Sequence, residues 1–339
     1  MAEETHIKLA HGGGGQLAQE LTEQVVLPAL GGTQEPGRLT DAAELDVAGR
    51  LAFTTDSHVI QPLEFPGGDI GKLAICGTVN DLAVSGAVAK ALSVSLILEE
   101  GLDVELLRRV VVSAGMAARS AGVQVVTGDT KVVERGGLAG MMINSAGIGE
   151  IPAGRELGFD RIVEGDRIVL SGPLGEHAMA VMSARENLSF TNELVSDCGS
   201  INDMTESLLN RLGKDVHFMR DPTRGGLAAT LNEVCSAIGR DMEIQQEAIP
   251  INPSARAIAE MLGLDLVSAA NEGKLVAIVA ESAAEEAVSV LAECKSAKRP
   301  AAIGRIAMKN DQPLVEMVTT IGGRRIVQMP YGEQLPRIC

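Results

Sequence analysis

IGKLAICGTVNDLAVSG, residues 70–86, is the stretch that says most about the fold of this chain. Its apolar residues recur at helical spacing. The segment before it, RLAFTTDSHV (50–59), alternates over the length of a strand, and ALSVSLIL (91–98) after it is a short apolar run typical of a buried strand. The order strand, helix, strand predicts an α/β architecture around this central helix.

The same order recurs along the rest of the chain. VELLRRVVVSAGMAARSAG (104–122) predicts an amphipathic helix that ends at Gly122, VQVVTGDT (123–130) predicts a strand leading into a turn, and GMMINSAGIGEI (140–151) predicts another strand. Turn residues then dominate 151–166, and RIVLSG (167–172) begins a second series of strands and helices. We therefore expect an α/β (α+β) protein with a glycine-rich segment at 1–40, domains at 41–155 and 156–328, and a mobile tail at 329–339.

The composition excludes several classes of function. A formal charge of −16 and a pI near 4.8 disfavour nucleic-acid binding, which relies on clustered Lys and Arg. The sequence contains no apolar run near the roughly 20 residues that a membrane span needs, and its first ten residues, MAEETHIKLA, are acidic rather than signal-like. The sequence predicts a cytoplasmic protein that binds neither nucleic acid nor membrane.

The last residue, Cys339, is the unusual one among five cysteines. An odd count without a C-x-x-C pair indicates neither a disulfide framework nor a zinc site. Thiols are usually buried, yet this one follows PYGEQLPRI (330–338), a segment with no helical or strand period. The position favours a chemical role for the Cys339 sulfur.

Three acidic residues lie where apolar elements end or are interrupted: Asp56 in TTDSHV, Asp81 in TVNDLAVSG and Asp129 in TGDTKV. Strand ends would collect these carboxylates at one edge of a sheet, where oxygen ligands suit a Mg²⁺ ion that also holds nucleotide phosphates. For any one of them, a turn former or a helix cap is the simpler interpretation. Lys131 would bring a positive charge to the same place, to pair with phosphate or with the carboxylates.

Glycines and a second set of polar residues are weaker signals. Gly12, Gly13, Gly14 and Gly15 precede a helical pattern, so their backbone N–H groups can wrap an anion, although a flexible linker is the favoured interpretation of these glycines alone. In RDPTRGGL, Asp221 precedes a helix start that suits an anion or is simply a capped turn. In SAANEGKLVAIV, Glu272 precedes an apolar strand and could transfer protons or merely close a helix.

The motifs TTDSHV, TVNDLAVSGA, TGDTKV and DPTRGGL, in this order, resemble the ATP-binding superfamily of aminoimidazole ribonucleotide synthetase and selenophosphate synthetase. With HGGGG, ANEGKL and the terminal PRIC, the whole length resembles the carbamoyl dehydratases of [NiFe]-hydrogenase maturation. Selenophosphate synthetases generally carry a reactive Cys or selenocysteine near the N-terminus, where this chain has His11 and glycines.

The resemblance implies a two-domain fold with mixed sheets, a homodimer, and ATP with Mg²⁺ in the groove between the domains. The metal ligands would be Asp56, Asp81 and Asp129. The nucleotide would be held by the same aspartates with Asn80, Thr130, Asp221 and the Gly12 to Gly15 loop.

The resemblance also implies the reaction. A HypF-like carbamoyltransferase would load Cys339, ATP would drive dehydration of the carbamoyl group to a thiocyanate with Lys131 and Glu272 handling protons or charge, and a HypC–HypD-like iron-carrying complex would accept the cyanide. Two alternatives stay open: a small-molecule ATP-dependent synthetase or kinase of the same superfamily, which would leave Cys339 idle, and a non-catalytic scaffold.

Overall fold

The structure, a computed structural model, describes residues 5–12, 16–30, 45–186 and 194–330. Within these residues the strands are β1 (Arg50–His58), β2 (Glu64–Phe65), β3 (Gly68–Asp69), β4 (Val88–Glu99), β5 (Gln124–Val133), β6 (Met141–Ile151), β7 (Arg167–Leu170), β8 (Val216–Arg220), β9 (Arg240–Gln245), β10 (Val276–Val279), β11 (Ala301–Lys309), β12 (Val315–Val318) and β13 (Arg324–Ile326).

The helices of the same residues begin with a bent N-terminal one, formed by α1 (Gln16–Leu21), a π-helical turn (Thr22–Val26) and α2 (Leu27–Leu30). The others are α3 (Ile70–Val84), α4 (Val104–Ala121), α5 (Glu176–Arg185), α6 (Asn202–Leu212), α7 (Gly226–Ile238), α8 (Pro253–Leu262) and α9 (Ala284–Glu293).

The first sheet has four strands in the order β1-β6-β4-β5. Strand β5 runs parallel to β4, and the other two pairs are antiparallel, so the sheet is mixed. Helices α3 and α4 cover one face and share a core with it. Nearly every side chain of α3 is buried, and its start is fixed by Asp69, whose carboxylate accepts hydrogen bonds from the N–H groups of Gly71 and Lys72.

The other face of this sheet carries exposed apolar side chains. On β1, Thr54, Asp56 and His58 face α3, and the alternate residues Leu51 and Phe53 face away from it. Leu51 is 43% exposed and Phe53 is 72% exposed. This face therefore presents apolar side chains that the described residues of one chain leave open to solvent.

Within the described part of the chain, the second sheet has seven strands in the order β13-β12-β9-β11-β7-β10-β8, and only the pair β12–β9 is parallel. Successive residues of β7 and β10 pack on opposite sides. Ile168 and Ile278 join a core with α7, whereas Val169 and Val279 join a core with α6 and α9. Burial on both faces explains why KLVAIVA (274–280) is a continuous apolar run rather than an alternating one.

The α/β class, the two-part organisation and the mixed sheets predicted from the sequence are confirmed. Helix α4 ends at Gly122 as expected, with φ at 70°. One local prediction is wrong: the residues TGDT do not form a turn, because β5 continues to Val133 through pairing with β4. Cys339 and most of the predicted tail lie outside the described residues. Among the described residues, no helix is long and apolar enough to cross a membrane.

Residues 194–201, which we call the junction loop, belong to the second half and contact the first half. The N–H of Ser196 donates to the carbonyl of Pro66 over 2.8 Å. The amide of Asn80 on α3 donates to the carbonyl of Gly199 (3.1 Å) and accepts from the N–H of Ile201 (2.9 Å). Helix α3 also packs against α6 of the second half. The two halves are thus joined by specific backbone contacts beside the central helix.

Candidate active site

A pocket of about 110 Å³ lies between the two sheets, where β1, α3, the loop before α7 and the turn before β10 meet. It is lined by Thr55, Asp56, Ser57, His58, Gly77, Asp81, Asp221, Thr223, Arg224 and Glu272. Four residues singled out in the sequence, Asp56, Asp81, Asp221 and Glu272, therefore meet in one place. We call these four the pocket group.

Asp56 and His58 reach the pocket because both lie on the α3 side of β1. His58 is only 3% exposed, and its Nε2 lies 3.4 Å from Oδ2 of Asp56. Burial lowers the pKa of His58, and the attraction of Asp56 opposes that effect only in part. Arg224 approaches Asp56 from the second half, with 3.9 Å between Nη2 and Oδ1. Charges from both halves of the molecule thus meet at Asp56.

Asp81 and Asp221 retain their protons more strongly than ordinary carboxyl groups. Burial raises the pKa of Asp81, and the charge of Asp56 raises this pKa further. The hydroxyl of Thr54 donates a 2.8 Å hydrogen bond to Oδ2 of Asp81, which lowers the pKa but does not outweigh burial. Burial, with the charge of Asp81, raises the pKa of Asp221 to about 7. The pocket therefore concentrates negative charge that a bound cation would relieve.

Gly77 gives the pocket its depth. A Cβ placed on this residue would lie 2.9 Å from Cε1 of His58 and 3.5 Å from Oδ2 of Asp56. The first distance is too short for a carbon contact, so any side chain would push into the space between α3 and β1. Glycine at this position leaves room beside the carboxylate of Asp56.

Glu272 sits in the turn before β10 and is 4% exposed. Its N–H donates to Oδ1 of Asp197 over 3.4 Å, and its carbonyl accepts from the N–H of Gly199 over 3.2 Å. The preceding Asn271 accepts the N–H of Gly175 and donates to the carbonyls of Pro222 and Ala269. This turn is thereby tied to the loop that carries Asp221.

Asp129, Thr130 and Lys131 lie elsewhere. They are on β5, three strands away from β1 in the sheet order, which corresponds to about 14 Å across the sheet. Pairing with Ser95 and Ile97 of β4 turns Asp129 and Lys131 toward the face away from α3, where Lys131 Nζ lies 3.5 Å from Asp129 Oδ2. Within one chain, the structure does not bring these residues to the pocket group.

The start of the glycine-rich segment lies beside β5. A 3₁₀ turn over Leu9–Gly12 packs against this strand. His11 is 1% exposed, and its Nδ1 accepts the N–H of Lys8 over 2.9 Å. Gly12 belongs to the same turn, whereas Gly13, Gly14 and Gly15 lie outside the described residues. We call Gly12, Asp129, Thr130 and Lys131 the β5 group.

Asn80, predicted to assist nucleotide binding, is occupied otherwise. It is 1% exposed, and both ends of its amide bond the backbone of the junction loop, as described above. In this arrangement Asn80 holds the second half against α3, one residue before Asp81.

The family of AIR synthase related proteins matches the chain twice, with its N-terminal domain at residues 39–151 and its C-terminal domain at 163–313. A protein of Bradyrhizobium diazoefficiens named carbamoyl dehydratase HypE is 46% identical over 98% of this chain and 96% of its own length. The chain belongs to the HypE family.

Solved structures of the HypE family agree with this assignment. A crystal structure of the hydrogenase maturation protein HypE in complex with ATP is 44% identical, covers 98% of this chain and 99% of its own, and superposes with a TM-score of 0.91. A chain of a HypE–HypF complex is 39% identical, covers 93% of this chain and 100% of its own, and has a TM-score of 0.79. The resemblance seen in the sequence motifs is thus confirmed along almost the whole chain.

Sequence reasoning missed several residues of this HypE-family pocket. His58 shares the α3 side of β1 with Thr54 and Asp56, so the alternation in TTDSH could have indicated it. The role of Gly77 depends on how closely α3 approaches β1, and the contacts of Asp197 with the Glu272 turn join residues 75 positions apart in the sequence. Neither has a local signal in the sequence.

Proposed function

We propose that this protein is an ATP-dependent carbamoyl dehydratase that converts a carbamoyl group on the thiol of Cys339 to a thiocyanate, and so supplies cyanide ligands for the iron of [NiFe]-hydrogenase. The observation that carries the proposal is the near full-length match to relatives named carbamoyl dehydratase HypE. The meeting of the pocket group at the junction of the two AIR synthase related domains agrees with it.

The reaction needs ATP because the oxygen of a thiocarbamate is a poor leaving group. That oxygen attacks the γ-phosphorus of ATP, the bond from this phosphorus to the bridging oxygen breaks, and ADP departs. The carbamoyl nitrogen then gives up both of its protons. Its electrons form the carbon–nitrogen triple bond as the carbon–oxygen bond breaks, and phosphate leaves with the oxygen. The sulfur of Cys339 remains bonded to carbon throughout.

The pocket group suits the phosphoryl-transfer step with a Mg²⁺ ion. Among the described residues, no three His, Cys, Asp or Glu side chains are grouped closely enough to enclose a metal ion by themselves. Mg²⁺ is usually held by one or two carboxylates together with substrate phosphates and water, which matches Asp56, Asp81 and Asp221 around a pocket kept open at Gly77. When bound there, the ion would neutralise charge on the phosphates.

Asp56, Asp81 and Asp221 would hold the triphosphate through that cation. Arg224, at the edge of the same pocket, would add a positive charge toward the phosphate oxygens. Glu272, buried among the same residues, is our candidate for accepting a nitrogen proton. Its fixed backbone would keep the carboxylate oriented toward the carbamoyl group.

The β5 group requires a second chain to reach a pocket. It lies at the far edge of the first sheet from β1, and Asp129 and Lys131 are on the face that carries the exposed Phe53 and Leu51. Covering this apolar face with the same face of a second chain would bury these side chains. We therefore propose a homodimer in which Gly12 to Gly15, Asp129, Thr130 and Lys131 of one chain complete the nucleotide site of the other.

The terminal segment would deliver the substrate. Residues 329–339 cover on the order of 30 Å when extended, because an extended residue spans about 3.3–3.6 Å. Such a tail would let one sulfur reach a HypF-like carbamoyltransferase, the ATP pocket and a HypC–HypD-like iron complex in turn. One solved relative was crystallised as a HypE–HypF complex, which supports the first of these partners. These steps would take place in the cytoplasm, and we propose functional units at 41–155 and 156–328.

The test is the variant Cys339→Ala. We expect it to bind ATP as the unmodified protein does and to form no thiocyanate when supplied with carbamoyl phosphate, ATP and the loading enzyme. Mass spectrometry of the C-terminal peptide measures first the carbamoyl adduct and then the loss of water. The matched control is Cys294→Ala, which removes a partly exposed free thiol 45 positions before Cys339 in the sequence and should leave the conversion unchanged.

Thiocyanate formation by Cys339→Ala would overturn the proposal. The protein with its original sequence could instead turn over ATP with a small molecule while its terminal peptide gains no adduct. That result would favour the synthetase or kinase alternative.

A further inference from the structure

The turn that carries Glu272 is held by a buried ion network for which the proposed chemistry has no direct use. Nζ of Lys274 lies 3.0 Å from Oε2 of Glu176 on α5 and 3.1 Å from Oδ2 of Asp197 in the junction loop. The side chains of Lys274, Glu176 and Asp197 are 4%, 5% and 2% exposed. Charged side chains are rarely buried to this degree unless they are paired.

Asp197 connects this network to Glu272. Its Oδ1 accepts the N–H of Glu272 (3.4 Å), and its Oδ2 accepts the N–H of Gly273 (3.2 Å). Burial acts to raise the pKa of Asp197, but Lys274, His177 and these hydrogen bonds outweigh it and lower the pKa. Asp197 therefore remains a carboxylate that can accept at both oxygens.

The turn and the junction loop also fit each other closely. A Cβ on Gly273 would lie 1.9 Å from the carbonyl oxygen of Asp197, so only glycine permits this approach of the two backbones. The N–H of Gly199 donates to the carbonyl of Glu272. Backbone groups on both sides of the Glu272 side chain are thus fixed by the loop that Lys274 anchors.

We infer that Asp197, Lys274 and Glu176 are positioning residues for the dehydration: Lys274, held by Glu176, fixes the carboxylate of Asp197, and Asp197 sets the direction in which Glu272 enters the pocket. The inference rests on the proposed function, because that function gives Glu272 its task. None of the three positioning residues lines the pocket itself.

The experiment compares Asp197→Asn with Asp166→Asn in the full-length protein. Asp166 is a matched control in the same half of the molecule, because it is 2% exposed, accepts the N–H of Val163 and pairs with His217 over 2.7 Å. Both variants lose one buried carboxylate that binds a backbone N–H and a basic side chain. Neither Val163 nor His217 lines the pocket.

We expect Asp197→Asn to lower kcat for thiocyanate formation about tenfold or more while KM for ATP stays within about twofold, since the nucleotide ligands are untouched. Asp166→Asn should lower thermal stability to a similar extent and leave kcat unchanged. Glu176 is linked to the Glu272 turn only through Lys274, so Glu176→Gln should give a smaller loss of kcat. This variant replaces Asp197→Asn in the experiment if Asp197→Asn does not fold.

Amide hydrogen exchange of the peptide containing Glu272 and Gly273 gives a readout independent of the reaction. We expect faster exchange in Asp197→Asn and no change in Asp166→Asn. The inference is overturned if a folded Asp197→Asn variant shows an unaltered kcat or an unaltered exchange rate. If Asp197→Asn does not fold, the same two measurements on Glu176→Gln decide. If the unmodified protein forms no thiocyanate, the proposed function fails, and the exchange data still decide whether Asp197 fixes the turn.

Discussion

Asp221 illustrates how the pocket changes the chemistry of a single residue. Burial and the neighbouring Asp81 raise the pKa of Asp221 to about 7. Near neutral pH this carboxyl is therefore poised between its acid and its anion, and a cation that binds beside it displaces the proton. Binding of Mg²⁺ with ATP should release protons below about pH 7, because the ion requires the ionised form.

This pKa gives a prediction for stability in metal-free buffer. Between the reference value of 3.8 and about 7, the folded chain holds a proton on Asp221 that the unfolded chain has released, so the folding stability decreases as pH rises through this range. Asp221→Asn cannot ionise and should escape this loss. We expect it to be more stable than the unmodified protein at pH 8 by about 4 kcal/mol, and to show no such gain at pH 4.

Thermal unfolding at the two pH values, with a chelator present, measures the difference. The exposed Asp311 supplies the control, since Asp311→Asn should give no gain at either pH. An equal gain by Asp221→Asn at both pH values would contradict the assignment of the raised pKa to this carboxyl. With Mg²⁺ and ATP added, the advantage of the variant should vanish, because the unmodified protein gains stability from ligand binding.

At the scale of the element, α3 is the helix around which both halves are arranged. It contributes Gly77 and Asp81 to the pocket, Asn80 to the junction loop, and most of its remaining side chains to the core. Residues 80 and 81 follow residue 77 by three and four positions, so both lie near it on one side of the helix. The motif TVNDLAVSG thus places a pocket residue and the attachment of the second domain next to each other in one helical turn.

Gly77→Ala tests the space beside α3. Alanine favours a helix interior by about 1 kcal/mol over glycine, which offsets part of the cost of its close contact with His58. We expect a melting temperature near that of the unmodified protein and a fall of about tenfold or more in ATP-dependent turnover, since the methyl group enters the pocket. Gly77→Val should reduce turnover further.

Calorimetry of ATP binding, in parallel with turnover and thermal unfolding, separates the two effects. Full activity in a folded Gly77→Val variant would show that the reacting groups do not use this part of the pocket.

The elements that the sequence predicted well are those whose local pattern agrees with their environment. The alternation of β1 and the glycine end of α4 belong to this class. The turn predicted at TGDT was wrong because pairing with β4 overrides a local preference of Gly and Asp, and that pairing also decides which face Asp129 occupies. The contacts of Asp197 and Lys274 depend on tertiary structure alone, so no pattern in the sequence could have indicated them.

The separation of the pocket group from the β5 group predicts how mixed dimers behave. Lys131→Ala and Glu272→Gln should each be inactive alone. When they are mixed and allowed to exchange chains, a heterodimer with composite sites has one site that retains both residues. Since about half of the dimers are then mixed, the activity should recover to about a quarter of that of the unmodified protein.

Thiocyanate formation in the mixture, with the dimer content measured by sedimentation, checks this outcome. Phe53→Asp introduced into both variants should separate the chains and abolish the recovery, because a charge on that apolar face opposes its burial. No recovery in a mixture of stable dimers would mean that each site is built from one chain.

The double hydrogen bond of Asn80 has a consequence for how the domains behave over time. Because one amide bonds the backbone at both Gly199 and Ile201, opening the groove as a hinge would break one buried and one partly buried hydrogen bond at once. Closure of one domain over the other is therefore an unfavourable way to bring sulfur and nucleotide together. A covalent cross-link between the domains, placed away from the groove, should leave the catalytic cycle intact.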